Sequence, residues 1–179
     1  KGLKDDGRHP GATAIAGVIW GSRLVIANAG DCRAILSRSG KLVHLSNDHT
    51  AECEKERERI LAVGGELVKR DTWRVGKAAI QVTRSIGDMD LKESGLTAVP
   101  EVITHMLTTE DEYIVMACDG LWDTLSEEQV HGIIKDTVKH PGMVAQRLVT
   151  EAITAGSGDN VTCIVVFLQP WVGTLERVY

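Results

Sequence analysis

Asp119 and Asp123 are the residues with the clearest chemical potential. The apolar run Ile114 to Cys118 ends abruptly at Asp119-Gly120, and a second carboxylate follows at Asp123. A short uncharged run of this kind reads as a buried strand. A carboxylate at its exit is held rigidly, and the adjacent Gly lets a ligand approach the backbone. One turn is enough to aim Asp119 and Asp123 at a single point. Two carboxylates about 4 Å apart repel by roughly 4 kcal/mol at an effective dielectric near 20. Either one is then protonated or a cation sits between them. Hard oxygen donors suit Mg²⁺ or Mn²⁺. The alternative is a strand-to-helix turn with Asp119 as a cap and Asp123 in solvent.

Two more aspartates have similar settings. Asp159 follows Gly156-Ser157-Gly158 and precedes the strand-like stretch 161–168, and Asp31 sits in a turn between two strand-like runs. Each could equally be an Asx-type turn residue. Three such placements together strengthen the metal reading. His49, after Asp48, is a candidate metal or phosphate ligand against the simpler role of turn or cap residue.

The elements that would position these groups follow from apolar periodicity and turn residues. Short strands are expected at 13–20, 23–28, 32–37 and 42–45, separated by turns of two to four residues, as an antiparallel meander. A charged surface helix spans 50–63 and stops at Gly64-Gly65, its Glu/Lys/Arg run a solvated face. A short strand at 66–69 leads into a polar loop around Trp73, a substrate-facing flap or plain loop cover. Strand pattern returns at 80–83, and strand 102–106 precedes the central one. Ser126-Glu127-Glu128-Gln129 is a capping box opening a helix to about Val138. Pro141-Gly142 breaks it, and a second helix runs from Met143 to Ala155.

Composition narrows the class. The 179 residues suit one domain and carry a net charge of −5. Acidic and basic residues are interspersed, which argues against nucleic acid or an anionic membrane as partner. No apolar run approaches a membrane span and no signal peptide is evident. Cys32, Cys53, Cys118 and Cys163 are scattered, and read as reduced thiols in the cytoplasm or nucleus. No phosphate-binding glycine loop, Gly-x-Ser-x-Gly elbow or aromatic stacking series is present.

The motif order resembles the metal-dependent protein phosphatase 2C family. The matching segments are Gly11–Ala14, Ala27–Ala34, Leu45–His49, Glu56-Arg57 with Gly64-Gly65, Val82–Asp88, Val99–Glu101, Ala117–Asp123 and Gly156–Asn160. Wording around 71–75, 136–139 and 165–168 looks most like plant proteins that join a protein kinase to a phosphatase 2C-like domain. The resemblance implies an α+β fold, a two-sheet antiparallel β-sandwich flanked by α-helices. It implies a phosphatase 2C-like domain over 11–170, with 1–10 a flexible or cut edge and 171–179 a tail.

It further implies hydrolysis of phosphoserine and phosphothreonine in proteins by a water activated on a two-metal Mn²⁺ or Mg²⁺ centre. Asp119 and Asp159 match the carboxylates of that centre. Asp31, Asp119 and Asp123 match the set that holds a further, weaker ion, and Gly120 and Asn160 neighbour the ligands. The family's phosphate-gripping Arg, Glu-Asp pair and Asp-Gly-His segment have no counterpart in this chain. Part of each sheet is then expected to be missing, with strand edges exposed and activity poor in the chain alone. The competing class is a phosphatase-like interaction or regulatory module without catalysis.

Overall fold

The computed structural model describes residues 10–137 and 141–168. In chain order the strands and helices are β1 (Gly11–Ala12), β2 (Ala14–Trp20), β3 (Arg23–Ala29), β4 (Arg33–Arg38), β5 (Lys41–His44), α1 (Glu54–Ala62), β6 (Leu67–Lys69), β7 (Trp73–Val75), β8 (Ile86–Gly87), β9 (Glu101–Met106), β10 (Asp111–Ala117), α2 (Asp119–Trp122), α3 (Glu127–Asp136), α4 (Pro141–Thr154) and β11 (Cys163–Phe167). A 3₁₀ turn at Met89–Ser94 precedes β9. The sheets have the orders β11-β10-β4-β5, β2-β3-β9, β1-β8 and β6-β7. The fold is therefore α+β, built on antiparallel sheets with helices beside them, as expected.

The first four long strands do not form one meander. β3 pairs with β2 and β9, whereas β4 pairs with β10 and β5. The chain leaves one sheet and enters another at Gly30, where φ is +129° and a Cβ would lie 2.3 Å from Thr13 Cγ2. Only glycine fits there, and the turn it makes is too sharp to continue a ladder.

The described residues separate into two compact units, one drawn from 10–16, 27–31 and 47–102, the other from 17–26, 32–46, 103–137 and 141–168. In the second unit, β10 is flanked by β4 and β11 in antiparallel register. Ile35, Val115, Leu121, Val130, Ile134, Val144, Leu148 and Ala152 are all but inaccessible and form its core with Trp122 and Tyr113. The apolar stripes of α3 and α4 supply half of this set, which is the spacing that puts one helix face on a sheet. Gly17 of β2 faces Met116 of β10, where a Cβ would come within 3.3 Å of its Sδ. The capping box forms: Ser126 Oγ accepts from Gln129 N at 3.2 Å, and Ser126 N donates to Gln129 Oε1 at 2.8 Å. α3 is last helical at Asp136, and the expected end at Val138 lies outside the described residues. Pro141 opens α4 and does not merely interrupt a helix, because proline lacks only an amide that a first turn leaves unused.

In the first unit a smaller core gathers Ala51, Ile60 and Val75, with Leu67, Trp73 and Ile80 against it. α1 begins at Glu54 and not at 50, because Thr50 bridges to Val82 and Ala51 N donates to Gln81 O. The stretch 80–83 contributes isolated bridges in place of a strand, and Trp73 lies in β7 rather than in a loop.

β2 and β11 are edge strands. Val18, Ile19 and Trp20 on β2 and Ile164 on β11 are exposed, Trp20 to 84%. Unpaired apolar edges of this kind invite pairing with another chain. None of the four cysteines forms a disulfide. Among the described residues no helix is long and apolar enough to cross a membrane.

Candidate functional site

In the second unit, β10 carries the chain through the core and releases it at Cys118, the N-cap of α2. Cys118 N donates to Thr162 O at 3.2 Å, Thr162 N donates to Cys118 Sγ at 3.2 Å, and the thiol donates to Asn160 O at 3.2 Å. Ser157 Oγ donates to Gly120 O at 2.8 Å. The corner 118–120 and the turn 157–162 are thus clamped together by backbone and short side chains. Gly120 is essential to the fit, since a Cβ there would lie 2.3 Å from Asn160 O.

This clamp puts Asp119 and Asp159 on adjoining segments. Asp119 Oδ1 accepts from the next amide, Gly120 N, at 2.9 Å, and Asp159 Oδ1 accepts from Asn160 N at 2.6 Å. Asp119 is half-buried and Asp159 exposed, and among the described residues neither makes an ion pair. Asp123 caps the C-terminus of α2, one turn after Asp119, with its amide donating to Asp119 O at 2.8 Å. Asp123 follows Asp119 by four residues, the spacing of neighbours along a helix face. That helix is pinned from beneath: Trp122 Nε1 donates to Ala117 O at 3.1 Å and Arg33 O at 3.3 Å. Arg33 stacks over the Trp122 ring and its Nη1 lies 2.9 Å from Glu127 Oε1.

Asp31 belongs to the first unit, where the turn before it is fastened at Gly30. Gly30 O accepts from His49 N at 2.9 Å and Asn28 Nδ2 at 3.1 Å, and Gly30 N donates to His49 Nδ1 at 3.3 Å. His49 is buried, with Nε2 lacking a hydrogen-bond partner and 3.7 Å from Glu101 Oε2. Burial first, and Arg84 next, lower its pKa from the usual histidine value. With Nδ1 accepting, the neutral ring carries its proton on Nε2, so that nitrogen is a donor and not a metal ligand. The turn role is the one His49 fills.

Glu56, expected on a solvated helix face, is instead buried. It is 4% exposed and accepts from Arg84 Nη2 at 2.6 Å, Thr83 Oγ1 at 2.7 Å and Arg59 Nη2 at 2.9 Å. Burial would raise its pKa, but these hydrogen bonds outweigh it and hold the carboxyl at about 2. The available signal was the Glu56-x-x-Arg59 spacing together with Arg84 in the Val82–Asp88 motif.

Among the described residues no three His, Cys, Asp or Glu side chains form a group that could hold a metal. The structure therefore offers the metal expectation a pair of carboxylates on adjoining segments, not a closed cage.

Residues 3–161 match the family model described as protein phosphatase 2C. The chain belongs to the protein phosphatase 2C family. A "Protein kinase and PP2C-like domain-containing protein" of Oryza sativa subsp. japonica is 59% identical over 172 residues, covering 96% of this chain and 26% of that protein. The resemblance to plant kinase–phosphatase fusions is borne out by this match. The chain spans about a quarter of the length of that relative. Among solved structures, a C. elegans sex-determining protein aligns with a TM-score of 0.82 at 26% identity, over 89% of this chain and 41% of that one. A serine-threonine phosphatase 2C from Toxoplasma gondii aligns with a TM-score of 0.76 at 25% identity, over 87% and 57%.

Proposed function

We propose that this chain is part of the catalytic domain, over 11–170, of a protein serine/threonine phosphatase that hydrolyses phosphoserine and phosphothreonine with Mn²⁺ or Mg²⁺. The observation that carries the reading is the clamp between 118–120 and 157–162, which keeps Asp119 and Asp159 on adjoining segments with no ion pair to neutralise them among the described residues. The family is generally metal-dependent. Carboxylate oxygens are the donors these hard ions prefer, so the pair fits in kind.

Asp119 and Asp159 would hold the ion, with Gly120 and Asn160 as their neighbours. Bound there, the metal would lower the pKa of a water and stabilise charge on the phosphoryl oxygens. The protein's own contribution is rigidity. The amides of Gly120 and Asn160 each hold one carboxylate oxygen and leave the other open. The clamp and the Trp122 anchor fix where those oxygens sit without waiting for a ligand, which is the preorganisation a charged transition state needs. Asp31 and Asp123 are proposed as ligands of a further, weaker ion on their motifs alone. An octahedral ion needs more donors than this pair, so the chain by itself binds metal weakly and turns over poorly.

The substrate is a phosphorylated protein, a kinase domain in the same polypeptide is the expected companion, and the cytoplasm or nucleus the expected compartment. A second reading, a regulatory or interaction module without catalysis, is favoured by the lack of any group of three metal-holding side chains among the described residues. Release of phosphate from a phosphothreonine peptide by the longer polypeptide distinguishes the two. The phosphatase reading expects Mn²⁺-dependent turnover abolished by Asp119→Asn. Equal turnover in excess chelator removes the metal mechanism, and none under any ion supports the module.

A further inference from the structure

The β6–β7 hairpin carries positive charge that the proposed chemistry does not use. Lys69 ends β6 and Arg70 begins the turn, both exposed. Lys69 Nζ lies 5.3 Å from the centroid of the Trp73 ring, and Arg57 Cζ, from α1, lies 5.7 Å from the same ring. Two cations thus share one indole, held by its negative face. Arg57 Nη1 donates to the carbonyls of Ala51 at 3.0 Å and Glu52 at 2.6 Å, contacts that orient the guanidinium without cancelling its charge. Among the described residues none of Arg57, Lys69 and Arg70 makes an ion pair.

Two carboxylates belong to the hairpin. Asp71 lies 3.7 Å from Arg74 Nη2 and also feels the charge of Arg70. Glu52 Oε1 accepts from Trp73 N at 2.6 Å and is the one negative group bonded on the Trp73 side. Four cations, Arg57, Lys69, Arg70 and Arg74, against two carboxylates, Glu52 and Asp71, leave a local positive surplus on a chain whose net charge is −5.

A surplus of this size attracts an anion, and the surroundings select which kind. Both cations over Trp73 occupy the ring that a nucleotide base would need for stacking. Nucleic acid and anionic membranes also meet the repulsion of the whole acidic chain, which a short segment engaging only the hairpin avoids. An extended peptide with successive carboxylates can reach the three cations one at a time.

The geometry points to the β6–β7 hairpin as a docking point for an acidic peptide segment of a partner protein, held by Arg57, Lys69 and Arg70. This goes beyond the phosphatase reading and does not depend on it.

The test uses the ¹⁵N-labelled 179-residue chain titrated with N-acetylated, amidated hexaglutamate. The expected result is a saturable shift of the amides at 67–75, weakened several-fold between about 50 and 300 mM NaCl. The double variant Lys69→Glu/Arg70→Glu is expected to weaken binding about tenfold or more. Lys69→Gln/Arg70→Gln gives an intermediate loss and guards against misfolding of the reversal variant. No saturable shift, equal binding of hexalysine, tighter binding of oligothymidylate, or unchanged affinity in both variants each overturns the proposal.

Discussion

Glu56 and Asp119 are both carboxylates in the first turn of a helix, yet their surroundings are opposite. Glu56, in α1, is buried and receives hydrogen bonds from two arginines and a threonine. Asp119, in α2, is half-buried, bonded to one adjacent amide and, among the described residues, makes no ion pair. A carboxylate whose every lone pair is used holds structure together. One whose backbone is clamped while its side chain keeps a single amide bond is the one proposed here to bind an ion. On the proposed reading, the Glu56 carboxylate serves cohesion and the Asp119 carboxylate serves chemistry.

The sharpest way to break this contrast is Glu56→Ala. Leaving Arg84 and Arg59 facing a vacated buried site is expected to cost about 3–5 kcal/mol, read as a lower urea midpoint. Gly120→Ala comes next. Its Cβ would sit 2.3 Å from Asn160 O, so the clamp must open. The expected cost is about 1–3 kcal/mol, with a loss of Mn²⁺ affinity exceeding what the stability change explains.

Acid sharpens the comparison differently. The folded pKa of Glu56 lies below the ordinary value of 4.5, at about 2. Its contribution is therefore complete above pH 4.5 and is lost as pH falls from there towards 2. Urea midpoints measured down this range should decline in the wild type and much less in Glu56→Gln. The smallest effect is expected for Asp159→Asn. This exposed residue should change stability by less than about 0.5 kcal/mol while weakening metal binding. A stability loss comparable to that of Glu56→Ala would erase the distinction.

Much of this was legible in the sequence, for physical reasons. The short uncharged run Ile114–Cys118 reads as a buried strand, and Ser126-x-x-Gln129 reads as a helix start. Asp119 and Asp159 stood out because each abuts a glycine at the end of such a strand. The sheet assignments are not legible, because β3 pairs with β9 and β4 with β10, partners far along the chain such as Arg33 with Ala117. The meander followed from local turns alone, and the change of sheet depends on the contact of Gly30 with Thr13. Glu56 looked like one more charge in a solvated run, and only the return of Arg84 and Thr83 over α1 buries it. Trp73 carries no strand signal because β7 is three residues long, its pairing limited among the described residues to β6 and one bridge to Ile80.

Calorimetric titration of Mn²⁺ into the wild-type chain, Asp119→Asn and Glu56→Gln tests the division of roles most directly. Asp119→Asn should abolish the binding isotherm while leaving the unfolding midpoint within about 0.5 kcal/mol of wild type. Glu56→Gln should lower the midpoint and keep the isotherm. Binding that survives Asp119→Asn unchanged would contradict the assignment of that carboxylate to the metal.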